Sequence, residues 1–147
     1  KFAILNTSPG KDIVFDKEQV LSFEGCTGPY IQYTFARTQS IVRKSQDIEE
    51  STQSFQANFN DYEKDLIKKI NSFKYSIQQA WLNRKPNILC LALYELAQVY
   101  NRFYAHCPVL SAPDQNTTNQ RLFLTKAASQ TLDLGLSLLG IEAVEEM

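Results

Sequence analysis

The sequence predicts an all-α fold, a helical bundle of about five main helices, from three observations. Apolar residues recur at spacings of three and four over several long windows. Prolines stand where helices start well, and glycines stand where helices stop. No strand-like alternation of useful length appears after residue 15.

Residues 1–15 read as an extended or short helical lead-in that closes in a turn at Ser8-Pro9-Gly10. Asp16 suits an N-cap, with Gln19 in the capping-box position, and a short helix runs from there through Leu21. A loop from Gly25 to Gly28 breaks it. Pro29 is expected as the first residue of a long helix to about Lys44, where its missing N–H costs nothing. On that helix Ile31, Phe35, Thr38 and Val42 form an apolar stripe. Tyr30, Tyr33, Arg37 and Lys44 fall on another, about 130° away.

Residues 45–60 are polar and without a clear period, reading as a surface connection or a helix extension. From about Asp61 the residues Tyr62, Leu66, Ile70, Phe73, Ile77 and Trp81 recur at helical spacing, with lysines mostly off that stripe. A break at Asn83-Arg84-Lys85 leads to Pro86. The next helix buries Ile88, Ala92, Leu96, Val99 and Phe103 and ends near Cys107-Pro108. Ser111 to Asn119 reads as a loop by composition. The last helix runs from about Gln120 to Leu139 and stops at Gly140. Its apolar positions nearly encircle it, so it is expected to be the most buried.

Composition narrows the function classes. At 147 residues, 44% hydrophobic and 12% aromatic, the chain carries one folded domain with a real core. A net charge of -1 disfavours gripping duplex nucleic acid by bulk charge, though not local basic stripes or recognition of unstacked bases. The three cysteines, Cys26, Cys90 and Cys107, are odd in number and widely spaced, which reads as reduced thiols of a cytoplasmic protein. With His106 the only histidine and no CxxC pair, a zinc site lacks ligands. No apolar run approaches the roughly 18 residues of a membrane span. The chain opens on Lys1 and an apolar Phe2-Ala3-Ile4-Leu5 run, and so reads as a piece of a longer polypeptide cut near a domain boundary.

Catalytic readings are weak. His106 and Cys107 are sequence neighbours, which on a helix point about 100° apart and suit neither base nor nucleophile. The pairs Glu49-Glu50 and Glu145-Glu146 sit in polar or terminal stretches and read as solvated. Gly25-Cys26-Thr27-Gly28 has neither the length nor the lysine of a phosphate-cradling loop. Among the seven tyrosines, most serve packing. Tyr30 and Tyr33 stand apart, because they lie off the apolar stripe and share a face with Arg37. Aromatics beside an arginine stack on unpaired bases while the guanidinium meets a phosphate or base edge. Tyr104, at the margin of its own helix's apolar face, joins such a surface.

Several separated runs carry a resemblance. They are Ser8-Pro9-Gly10-Lys11-Asp12-Ile13, the stretch Leu21 to Arg37, and Tyr94-Glu95-Leu96-Ala97-Gln98 continuing to Tyr100-Asn101-Arg102-Phe103-Tyr104. To these add Cys107-Pro108-Val109-Leu110 and the ending from Gly135 to Met147. In this order they resemble the C-terminal anticodon-binding domain of arginyl-tRNA synthetases, class I aminoacyl-tRNA synthetases, over essentially the whole chain. Residues 45–80 match only in helical pattern.

The resemblance implies an all-α domain over residues 16–147 that docks the anticodon stem-loop of tRNA-Arg, with residues 1–15 leading in from an N-terminal catalytic domain. It implies that the loop Ser22, Phe23, Glu24, Gly25, Cys26 and Thr27 approaches the anticodon bases. Tyr30, Tyr33 and Tyr104 would line the anticodon pocket, and Arg37 would lie near the anticodon backbone. Met147 would close the pocket of the middle base. Cys26 stands where the family often has Asp or Asn. ATP and magnesium belong to the catalytic domain, whose His-Ile-Gly-His-like and Lys-Met-Ser-Lys-like motifs are not in this sequence, so no cofactor and no aminoacylation are expected of this chain alone. A cytoplasmic monomer is the expected state. The reading from a different class is a helical protein-interaction or structural domain, its tyrosines forming a protein contact surface.

Overall fold

The computed structural model describes residues 1–12, 16–46, 58–144 and 146. Residues 47–57 of the polar connection expected over 45–60, the Glu49-Glu50 pair and Met147 lie outside the described residues. Six helices follow in order: α1 (Phe2–Asn6), α2 (Lys17–Leu21), α3 (Gly28–Lys44), α4 (Asp61–Asn83), α5 (Pro86–His106) and α6 (Gln115–Leu138). No strand occurs among the described residues, as the periodicity requires.

Local chemistry sets most boundaries. Asp16 caps α2, its carboxylate accepting from the Glu18 and Gln19 amides. Thr27 caps α3, so the helix begins one residue earlier than expected and Pro29 takes its second position. Asn60 and Glu63 form a reciprocal capping box at the start of α4. Pro86 opens α5 as expected. The expected loop to Asn119 is shorter than its composition suggests. Asp114 accepts from the Thr117 amide at 2.9 Å and the Thr117 hydroxyl at 2.8 Å, and α6 starts at Gln115 rather than Gln120. Gly140, with φ of 64°, ends it.

The centre of the fold is α5, which packs against α1, α3, α4 and α6. Its Leu93, Leu96, Tyr100 and Phe103 are fully buried, each apolar side chain stabilising the fold by about 1.5–3 kcal/mol. As expected, the last helix carries more buried residues than any other described helix, although its Phe123, Leu134 and Leu138 are exposed, so its apolar positions are not all covered. Gly135 of α6 explains how closely α6 approaches its neighbours. A Cβ there would fall 2.5 Å from Leu93 Cδ2 and 2.8 Å from Phe73 Cζ. A polar seam binds α3 to α6, where the Thr38 hydroxyl lies 2.8 Å from Ser129 Oγ and Gln39 Nε2 donates to the same oxygen at 3.0 Å.

Two expectations for α4 are corrected. Tyr62 is exposed and stacks on His106 at 4.3 Å between ring centroids. Trp81 is 82% exposed. At 100° per residue the apolar series drifts, so Trp81 lies about 70° from the direction of the buried Leu66 and Phe73.

Candidate nucleic-acid interface

The site is a groove of about 840 Å³ between α3 and the C-terminal end of α5. Its walls include Tyr33 and Arg37 of α3, Tyr104 of α5, and the Pro108 to Ser111 step that follows α5. Arg43, Lys44 and Glu146 complete the rim. The guanidinium carbon of Arg37 sits 4.7 Å from the centroid of the Tyr33 ring and 5.3 Å from that of Tyr104. Arginine, with its planar fork, is the residue suited to such a position. Tyr33 and Tyr104 are 42% and 41% exposed, so each keeps surface facing the groove.

A polar hub fixes this cluster. Arg37 Nη1 donates to Asn101 Oδ1 at 2.7 Å. Asn101 Nδ2 in turn donates to the Tyr30 hydroxyl at 3.1 Å and to Thr34 Oγ1 at 3.0 Å. One carboxamide of α5 thereby ties three residues of α3. The remaining N–H groups of Arg37 have no hydrogen-bond partner among the described residues. Behind Tyr104, the buried Tyr100 lies nearly parallel to it, at 16°.

The loop before α3 divides its residues between two duties. Phe23 is exposed and meets Tyr33 edge to face, centroids 6.1 Å apart, so it extends the aromatic surface. Gly25 has φ of 78°, a turn that glycine alone makes without strain. Ser22 Oγ accepts from the Glu24 amide at 3.0 Å, and the Thr27 hydroxyl donates to the Ser22 carbonyl at 2.6 Å. These bonds shape the loop and cap α3. Cys26 is half-buried against the core, its sulfur accepting from Asn6 Nδ2 at 3.5 Å, and burial pushes its thiol pKa up. Glu24, Gly25, Cys26 and Thr27 border a second hollow of about 660 Å³, shared with α1.

Of the residues expected at the site, the structure gathers Phe23, Tyr33, Arg37 and Tyr104 into one connected surface. Tyr30 is not on it. The Tyr30 ring is half-buried, edge-on to Tyr94 at 5.5 Å, and lines a shallower hollow with Asn101 and Arg102. Sequence reasoning missed Asn101 and Arg43. Asn101 left a weak signal, a carboxamide one turn before Tyr104. Arg43 pairs with Glu146 at 3.4 Å, a contact from the far end of the chain that no local pattern encodes. The geometry does not join a base to a nucleophile here: Cys107 is buried against Asn60, and His106 stacks on Tyr62. No cluster of metal-ligating side chains occurs among the described residues.

A sequence model of the DALR anticodon binding domain matches residues 31–147. Curated relatives include arginine–tRNA ligases of Clostridium kluyveri, 40% identical over 99% of this chain and 26% of its own length, and of Haemophilus influenzae, 41% identical over 100% of this chain and 26% of its own. Among solved structures, the arginyl-tRNA synthetase of Thermus thermophilus superposes with a TM-score of 0.91 at 37% identity, over 99% of this chain and 25% of that one. That of Plasmodium falciparum gives 0.86 at 28% identity, over 99% and 26%. The chain therefore spans about a quarter of the length of the relatives it matches. By this family match and this superposition, the chain belongs to the DALR anticodon-binding domain family, in the form that arginine–tRNA ligases carry.

Proposed function

We propose that this domain binds the anticodon stem-loop of tRNA-Arg in the groove between α3 and α5. The observation that carries the reading is the Tyr33–Arg37–Tyr104 cluster, two half-exposed rings about a fixed guanidinium, opening on an 840 Å³ groove rimmed by Arg43 and Lys44. Rings of this kind take unpaired bases by stacking, while the cations hold flanking phosphates. Phe23 widens the stacking surface. Ser22, Gly25 and Thr27 act as scaffold for it, and Glu24 borders the second hollow beside α1. Cys26 and Tyr30 support from within. Met147 closing over the middle base fits a C-terminal segment whose Glu146 already reaches Arg43.

The domain's contribution to aminoacylation is geometric. Binding energy at the anticodon holds the acceptor end in a catalytic domain outside this chain, which uses ATP and magnesium. Monomeric action in the cytoplasm completes the reading. No helix among the described residues is long and apolar enough to cross a membrane. The test is binding of the anticodon stem-loop by fluorescence anisotropy. Tyr33→Ala and Tyr104→Ala should each weaken it by about 1–3 kcal/mol, the worth of one base–aromatic stack. A stem-loop of altered anticodon should bind less well than the cognate one. Equal binding by variants and parent would contradict the proposal and favour a protein-contact role for the rings.

A further inference from the structure

Charge is distributed unevenly in this chain. Between Leu66 and Tyr94 there are five cations, Lys68, Lys69, Lys74, Arg84 and Lys85, and no carboxylate. The net charge of the whole is -1, so the rest of the chain is strongly acidic by comparison. Two of the five are neutralised from outside the stretch, Lys68 by Asp65 and Lys69 by Glu95. Lys74, Arg84 and Lys85 have no ion-pair partner among the described residues. Arg84 and Lys85 follow the C-terminal end of α4 directly, and Lys74 lies about two and a half turns before it.

The same end carries the most exposed aromatic surface of the described residues. Trp81 is 82% exposed, Leu82 64% and Tyr75 62%. By helical geometry Lys74, Trp81, Gln78, Leu82 and Tyr75 share an arc of about 120° on the side of α4 turned from α5. An indole and a phenol on a helix whose cations Lys74, Arg84 and Lys85 make no ion pair among the described residues match a phosphodiester chain carrying stackable bases. Backbone geometry adds a second pointer. Arg84 ends α4 in the left-handed conformation, φ 52°, the only described non-glycine residue with positive φ. Glycine adopts that conformation freely, and a side chain there is strained. A strained arginine where glycine is favoured suggests that its side chain is used.

We infer that this face of α4 is a second RNA contact, one that grips the tRNA outside its anticodon arm. The inference rests on the RNA reading above. The patch adjoins Pro86 at the start of α5, and Tyr104 lies 18 residues further along the same helix, which is about 27 Å. The two sites thus lie at opposite ends of α5, so an RNA that touches both extends well past the nucleotides seated in the groove.

Two RNAs separate the sites: a full tRNA-Arg transcript and its isolated anticodon stem-loop, each titrated against the whole chain. Trp81→Ala should weaken tRNA binding about 5- to 100-fold and leave the stem-loop unaffected. Lys74→Glu combined with Lys85→Glu should lower tRNA affinity more than tenfold and make its logarithmic salt dependence shallower by about two. Arg84→Gly is the most telling variant, because thermal stability should rise while tRNA affinity falls. Losses shared equally by both RNAs, or tRNA binding unchanged in all variants, would overturn the second contact. So would loss of binding to a separately supplied catalytic portion of an arginine–tRNA ligase with tRNA binding intact, which would make the patch a protein contact. If Tyr104→Ala leaves both RNAs bound as before, it is the groove reading that fails, not this one.

Discussion

Arg37 donates to Asn101 across 2.7 Å, from the middle of α3 to the last third of α5. That single bond orients a guanidinium whose two neighbours are the rings of Tyr33 and Tyr104. The aromatic surface is therefore controlled by a residue that forms no part of it. Asn101→Leu should weaken stem-loop binding nearly as much as Arg37→Ala does, by about 1.5–3 kcal/mol, the worth of a hydrogen bond to a charged group. In a double-mutant cycle followed by titration calorimetry the two losses should overlap, because each variant removes the same contact. Fully additive losses would show that Asn101 does not position Arg37.

The ion pair of Glu63 and Arg121 joins three places. Glu63 is buried at the start of α4, its Oε1 accepts from Arg121 Nε at 2.8 Å, and Arg121 Nη1 donates to the Pro108 carbonyl at 2.9 Å. Pro108 is a wall of the groove. Arg121→Ala leaves a buried carboxylate unpaired and should cost about 3–5 kcal/mol in urea unfolding. Replacing both partners by apolar residues should restore much of the stability. A small loss in the single variant would mean that water reaches Glu63.

Gly135→Ala sets two effects against each other. Alanine favours a helix over glycine by about 1 kcal/mol. The added methyl, however, would meet Leu93 and Phe73 at 2.5 and 2.8 Å, both buried. Overpacking of this kind costs about 1–3 kcal/mol, so the variant should melt at a lower temperature than the parent. A higher melting temperature would show that α6 moves away at little cost.

Buried thiols tie stability to alkaline pH. Burial pushes Cys90 from its ordinary 9.0 up to about 12. Above pH 9.0 the unfolded chain loses that proton while the native chain keeps it, so the native state binds more protons and stability falls with rising pH. This contribution is intact below pH 9.0 and is lost towards pH 12, at about 1.4 kcal/mol per pH unit. Cys90→Ala should flatten that slope in urea melts between pH 9 and 11. An unchanged slope would assign it to other groups, such as Tyr100, which burial also shifts upwards.

The long helices and the groove's rings were legible because both rest on local pattern. Apolar spacing placed α3, α4 and α5, and the joint position of Tyr33 and Arg37 off the apolar stripe predicted their common face. The misplacements have physical causes. Polar residues from Asp114 to Asn119 read as loop, but Asp114 is a cap and turns them into the first turns of α6. Trp81 kept its spacing and lost its burial because the phase of the helix had drifted. Tyr30 shared the stripe of Tyr33 yet turned inward, because a donor on α5, Asn101, lies within reach of its hydroxyl. The Glu63–Arg121 and Arg43–Glu146 pairs join residues far apart in sequence, and no window of the chain contains both members.

The wedge between Tyr33 and Tyr104 also bears on how quickly a ligand settles. Both rings are held apart before any ligand arrives, so little side-chain freedom remains to be lost when one docks. Capture then needs no opening step. Association should follow one phase with a rate proportional to RNA concentration, and the lifetime of the complex, rather than the speed of its formation, should report differences between anticodons.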